Sequence, residues 1–220
     1  MSIHSVGQEQ PVNGPDHASE RKKQIVRAAM TCFARRGFHV TTMHDISAQA
    51  QISVGLIYRY FENKDAVIAY MAGEHLAGLR EVLEEARKAP TLFEGLKIIA
   101  ICHCEEEPDL QPAFVADLFA EAARNEHVRL MVRDVTQFFI DGLAELIAGS
   151  KEAEAARVDP KTAAEIIMDS TRGMTMRAIV DSSTLSASQI RERQLAMLRA
   201  LWPLLFASAA PAATLERSSA

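Results

Sequence analysis

The 220-residue chain is short of the residues that most chemistry needs. Its three cysteines, Cys32, Cys102 and Cys104, are odd in number and unsuited to a disulfide scaffold, so a reducing compartment, the cytoplasm, is expected. No apolar run approaches the ~18 residues that span a bilayer, and the first residues lack the basic-then-apolar layout of a secretion signal. There is no Gly-rich phosphate loop, nucleophile elbow, His-Glu-x-x-His pair or supported triad. Catalysis is therefore not expected, although an all-helical enzyme with an unfamiliar site remains an alternative. Aromatics make up only 6% of the chain while Ala, Leu, Glu and Arg are plentiful, which favours helix throughout. Positive charge is also in deficit: the net charge of −5 argues against a protein that coats nucleic acid without selectivity.

That average hides an asymmetry. Residues 18–65 hold eight Lys or Arg against four acids, a net of +4, whereas residues 66–220 carry −7. A basic head on an acidic body presents one face to DNA and repels it elsewhere. Residues 1–18 mix Gly, Pro and polar residues without period and contain no Lys or Arg, so they read as a disordered arm. Residues 207–220 read as a disordered tail.

Within the head, Ser19 or Glu20 opens a helix with Ile25, Ala28, Ala29, Cys32 and Phe33 at helical spacing, and Gly37 stops it. Cys32 belongs to that apolar side. Lys22, Lys23 and Arg27 are candidates to approach a DNA backbone, or form an ordinary solvated face. Thr42 can cap a second helix, with Asp45 in the capping-box position. Ser53 can cap a third beginning at Val54. Gly55, at the exposed start of that helix, lets the backbone come close to a phosphate or base edge.

These residues carry a resemblance. Phe33, Gly37-Phe38, Thr41-Thr42, Ala48, Ser53, Gly55, Tyr58-Arg59-Tyr60-Phe61 and Lys64 stand in the order and spacing of the helix-turn-helix domain of the tetracycline-repressor (TetR) regulators, over roughly residues 20 to 70. The resemblance implies that Thr42, Tyr58, Tyr60 and Lys64 grip phosphates and that Arg59 reaches base edges. The chemistry agrees, since hydroxyls and an ammonium are phosphate donors and a guanidinium can bond guanine O6 and N7 together. Val54 and Leu56 could touch thymine methyls. Tyr60 could equally pack inside the head with Phe61.

The remaining chain reads as a body, residues 66–206, after a head at 19–65. Asn63 and Lys64 start a long helix to about Lys88, whose inner side is expected to carry Val67, Ile68, Met71, Leu76, Leu79 and Leu83, with His75 among them. Thr91 with Glu94 starts the next, Pro112 and Asn125 mark two more, Ser150 to Arg157 reads as a polar loop, and Asp159-Pro160 and Ser186 open the last two. The fold expected is all-α with about nine helices and no strand. The resemblance implies a homodimer through the last two helices, with Ile166, Ile167, Met174, Ile190, Met197, Leu198, Leu201, Trp202 and Leu205 as contact candidates.

It also implies an apolar cavity for a small-molecule effector. His75, Leu79, Ile99, His103, Phe114, Phe138, Met168, Arg172 and Met176 are the candidates to line it, and Arg172 is the candidate to hold a carboxylate or phosphate. Cys102-His103-Cys104 invites a metal reading, but successive helical residues point about 100° apart and do not converge on one ion. No metal or cofactor is expected. The function expected is a DNA-binding regulator, a repressor released from a palindromic operator by an effector, with effector-independent DNA binding as the alternative.

Overall fold

The computed structural model describes residues 15–102, 111–180 and 187–207. These form nine α-helices and one 3-10 helix, and the only pairing of extended backbone among them is a single bridge between Ala156 and Phe206. The expected all-α fold is what forms. Residues 1–14 and 208–220 of the arm and tail, Ser186, and the segment from His103 to Glu107 lie outside the described residues.

The head is α1 (Pro15–Arg36), α2 (Met43–Gln49) and α3 (Val54–Tyr58). α1 begins four residues before Ser19, because Pro15 fits the first turn, where a missing N–H costs nothing. Ile25, Ala29 and Phe33 of α1, Ile46 of α2 and Ile57 of α3 are fully buried together. Cys32 joins this core, its thiol 3.7 Å from the Asp45 carbonyl, and burial pushes its pKa up.

α4 (Lys64–Arg87) leaves the head and enters the body. Its 24 residues span roughly 36 Å at helical rise. Its first part, Val67 and Ile68, completes the head core, and its second part, Leu79, Leu83 and Ala86, belongs to the body core. His75, between them, is exposed rather than on the inner side. The body continues with α5 (Leu92–Cys102), α6 (Gln111–Ala122), α7 (Glu126–Ala148), α8 (Pro160–Val180) and α9 (Ala187–Leu205). Asn125 accepts from the backbone N–H groups of His127 and Val128 to start α7, and Asp159 does the same for Lys161 and Thr162 to start α8. The stretch read as a polar loop contains a 3-10 helix, Lys151–Ala155, held where Ala207 N–H donates to the Ala155 carbonyl and Arg157 N–H to that of Leu205.

Close approach sets the spacing of α4 and α5. A Cβ on Gly95 would stand 2.8 Å from the Ala86 carbonyl oxygen, so only glycine allows α5 to lie so near the end of α4. α6 belongs to both halves of the molecule. Phe114 stacks on Phe33 with ring centroids 6.4 Å apart, Leu118 packs against the head core and Ala122 is buried in it, while α6 also contacts α7 and α8.

Candidate nucleic-acid interface

α2 and α3 are fixed one cap at a time. Thr42 Oγ1 accepts from Asp45 N–H at 3.1 Å, and the Asp45 carboxylate accepts from Thr42 N–H at 2.9 Å, a complete capping box. The Thr42 hydroxyl also donates to that carboxylate at 2.6 Å, and Arg36 reaches it at 2.5 Å. The Thr42 bonds, side chain first and then backbone, and then the Arg36 guanidinium hold the Asp45 pKa down to about 2. Gln24 of α1 donates to the Ala50 carbonyl at the end of α2, and Gln51, at φ 55°, turns the chain in the left-handed region. Ser53 then accepts from Leu56 N–H at 3.2 Å and opens α3.

The result is a short helix with one buried side chain, Ile57, and an open outer face. A Cβ at Gly55 would meet nothing within 4 Å, so its backbone is free to be approached. Val54 and Leu56 are half-buried beside it. Tyr58 is 53% exposed, the exposed Arg59 makes no ion pair among the described residues, and Thr42 and Ser53 are exposed as well. Tyr60 is half-buried, packing in part against the head core.

Lys64 has an internal task that the sequence did not show. Its Nζ donates to the carbonyls of Phe38 at 2.7 Å and His39 at 3.2 Å, and lies 4.6 Å from the centre of the Phe38 ring. It thus closes the turn after α1, where Gly37 takes φ +86°. From the other side the Asp117 carboxylate of α6 accepts from Phe38 N–H through Oδ2, and its other oxygen, Oδ1, lies 3.2 Å from where a Gly37 Cβ would be. The turn is held by the connecting helix and by the body at once. Asp117 was missed because no local pattern links it to a turn 79 residues away.

On α1, Lys22 lies over the Tyr70 ring at 5.1 Å and Lys23 pairs with Glu20 at 3.3 Å, while Arg27 faces an open groove of about 480 Å³ between α1 and the α2–α3 turn. Val40, 68% exposed just before Thr42, is an apolar contact candidate that sequence reasoning passed over.

A capped helix, a left-handed turn and a short helix with a bare outer face are the parts of a helix-turn-helix. Residues 25–71 match the model of the bacterial regulatory proteins, tetR family. The head of this chain is similar to the DNA-binding domain of that family. The chain is 34% identical over 95 residues to the transcriptional regulator HbdR of Aromatoleum sp. (strain CIB), a match covering 42% of this chain and 38% of HbdR. It is 26% identical over 168 residues to the regulator UidR of Escherichia coli (strain K12), covering 74% and 83%. The fatty acid degradation regulator FadR from Bacillus halodurans shares the fold, with TM-score 0.71, 20% identity and coverage of 87% and 96%. The protein is thus a DNA-binding transcriptional regulator, and dimers and ligand response are typical of the family that its head matches.

The candidates in the body are scattered by the structure. Leu79 and Ile99 are buried in the body core, His75 is exposed, and Phe114 packs on the head through Phe33. His103 lies outside the described residues. Phe138, Met168, Arg172 and Met176 are half-buried, with the Phe138 ring 5.2 Å from the Arg80 guanidinium. Of the contact candidates, Ile167, Leu198, Trp202 and Leu205 are buried within their own chain, Trp202 beside Phe93 and Phe206, and are not available to a partner. Ile166, Met174, Ile190, Met197 and Leu201 are half-buried, and Leu204, unnoticed in sequence, is 66% exposed on the outer side of α9. Apolar spacing marks a face without saying what covers it.

Proposed function

We propose that the protein is a homodimeric repressor that occupies a palindromic operator and leaves it when a small molecule binds the body. The observation that carries the reading is the open outer face of α3, where Gly55, Tyr58 and Arg59 stand uncovered on an otherwise packed head. Val54, Gly55 and Leu56 approach the bases, Arg59 bonds a guanine edge, and Thr42, Ser53, Tyr58, Tyr60 and the free donor of Lys64 hold phosphates. Repression is favoured over activation because blocking polymerase needs only occupancy. Acting on the chromosome places the protein in the cytoplasm.

A twofold dimer suits this task, since it presents two copies of α3 to half-sites about 34–36 Å apart or a multiple of this. The partner surface supported by the exposure pattern is Met197, Leu201 and Leu204 of α9 with Ile166 and Met174 of α8. Effector control is supported by α6, which touches α8 in the body and holds the Gly37-Phe38 turn of the head.

The test is binding to the duplex upstream of the protein's own gene, titrated in salt against unrelated DNA. Tight, competitor-resistant binding that Tyr58→Ala abolishes while leaving the fold intact is expected. Equal affinity for every duplex, or a Tyr58→Ala variant that binds as wild type, sinks the reading.

A further inference from the structure

Arg172 stands where three helices of the body meet. Its guanidinium lies 4.8 Å from the centre of the Phe119 ring on α6, and its Nη2 donates to Thr136 Oγ1 on α7 at 3.2 Å. The nearest carboxylate among the described residues, Asp169 one turn earlier on α8, is 3.9 Å away, too far for a hydrogen bond, and is 75% exposed. One of the five guanidinium N–H donors is thus engaged among the described residues, although the side chain is only 27% exposed. Burial pushes the guanidinium pKa down, with Asp169 opposing, so the cation has given up water that its neighbours do not replace in full.

The seam between α7 and α8 differs along its length. At one end Leu143 and Ile147 of α7 and Ala163 and Ala164 of α8 are sealed. At the other, Val135, Thr136, Met168, Arg172 and Met176 are all half-buried, as is Phe119 of α6 opposite them. The open end combines apolar walls with one under-bonded cation.

We infer that Arg172, Phe119 and Thr136 form the anion-holding end of a small-molecule site between α6, α7 and α8, which takes an organic monoanion, a carboxylate or sulfonate on an apolar body. The planar guanidinium fork matches a two-oxygen anion. A dianionic phosphate would leave an uncompensated negative charge in a half-dehydrated place beside Asp169. Phe119 and the two methionines receive the apolar part. The site rests on the effector reading only for its consequence at DNA: Phe119 lies two residues from Asp117, whose carboxylate holds the head. An anion that draws Arg172 away from the Phe119 ring acts on the helix that grips the Phe38 turn.

Two fluorescent probes that share one ring system test this on the full chain: 8-anilinonaphthalene-1-sulfonate and the neutral N-phenyl-1-naphthylamine. The sulfonate is expected to fill one saturable site per chain. Arg172→Gln should weaken it by roughly 10- to 100-fold, as loss of a charge-assisted bond does, and leave the neutral probe unchanged. Arg172→Lys, which keeps the charge without the fork, should fall between. Should Arg172→Gln melt early, Thr136→Val carries the same comparison with the cation in place and should weaken the sulfonate alone. Equal loss of both probes, no loss of the sulfonate, or no saturable site in the wild type overturns the inference. Sulfonate binding that depends on Arg172 but leaves DNA affinity unchanged upholds the site and sinks the effector reading instead.

Discussion

The head and the body are built from the same kind of helix, yet they differ in how they are specified. In the head, nearly every boundary has its own chemical cause: Thr42 and Asp45 start α2, Gln24 covers its end, Gln51 turns the chain and Ser53 starts α3. Few apolar residues are left over, and Ile46, Ile57 and Phe61 all go inward. In the body, long helices carry more apolar surface than one core consumes. Part of it seals, as at Leu143 and Trp202, and part stays half-open, as at Phe138, Met168 and Leu201. A region with one fixed surface suits reading DNA, and a region with surplus apolar surface suits a second subunit and a ligand.

The sharpest way to break this comparison is Trp202→Ala. Trp202 is 1% exposed against Phe93 and Phe206, so its truncation should cost about 3–5 kcal/mol and lower the melting temperature of the isolated chain at any protein concentration. A loss that disappears on raising the concentration would return Trp202 to the subunit contact.

Asp117→Ala tests the joint between the two regions. Removing the acceptor of Phe38 N–H should cost about 1–3 kcal/mol, and hydrogen exchange should quicken at Phe38 while remaining slow at Leu143. Unchanged exchange at Phe38 would mean that α6 does not hold the head.

A smaller effect is expected at the α2 cap. Thr42→Ala should cost about 1 kcal/mol, confined to the head. The same box makes stability depend on pH. Because the folded pKa of Asp45 is lowered from 3.8 to about 2, its contribution is complete above pH 4 and is lost as pH falls through about 2. The stability difference between wild type and Asp45→Asn, followed by circular dichroism, should therefore vanish between pH 4 and pH 2. A difference constant over that range contradicts the assigned bonds.

What could be read in the sequence follows the same division. Thr42, Ser53, Asn63, Asn125 and Asp159 cap the helices the sequence assigns them, because a cap is a local bond between neighbours in the chain. Lys64 was legible as a cation near the recognition helix, but its bonds to the Phe38 and His39 carbonyls, 26 and 25 residues away, were not. Helical spacing placed Phe114 and Leu79 on apolar faces correctly and could not say that one faces the head and the other the body core. Arg172 was singled out because a guanidinium on an apolar face needs a reason. Its neighbours Phe119 and Thr136 come from helices whose mutual register no single-helix pattern records.

Selection of binding sites from a pool of random duplexes tests the central claim, that the uncovered face of α3 reads sequence in a twofold dimer. Wild type should enrich two inverted half-sites whose centres lie one helical turn or a multiple of it apart, and Arg59→Ala should relax the choice at one base pair in each. No enriched sequence, or the same profile with and without Arg59, would contradict the account.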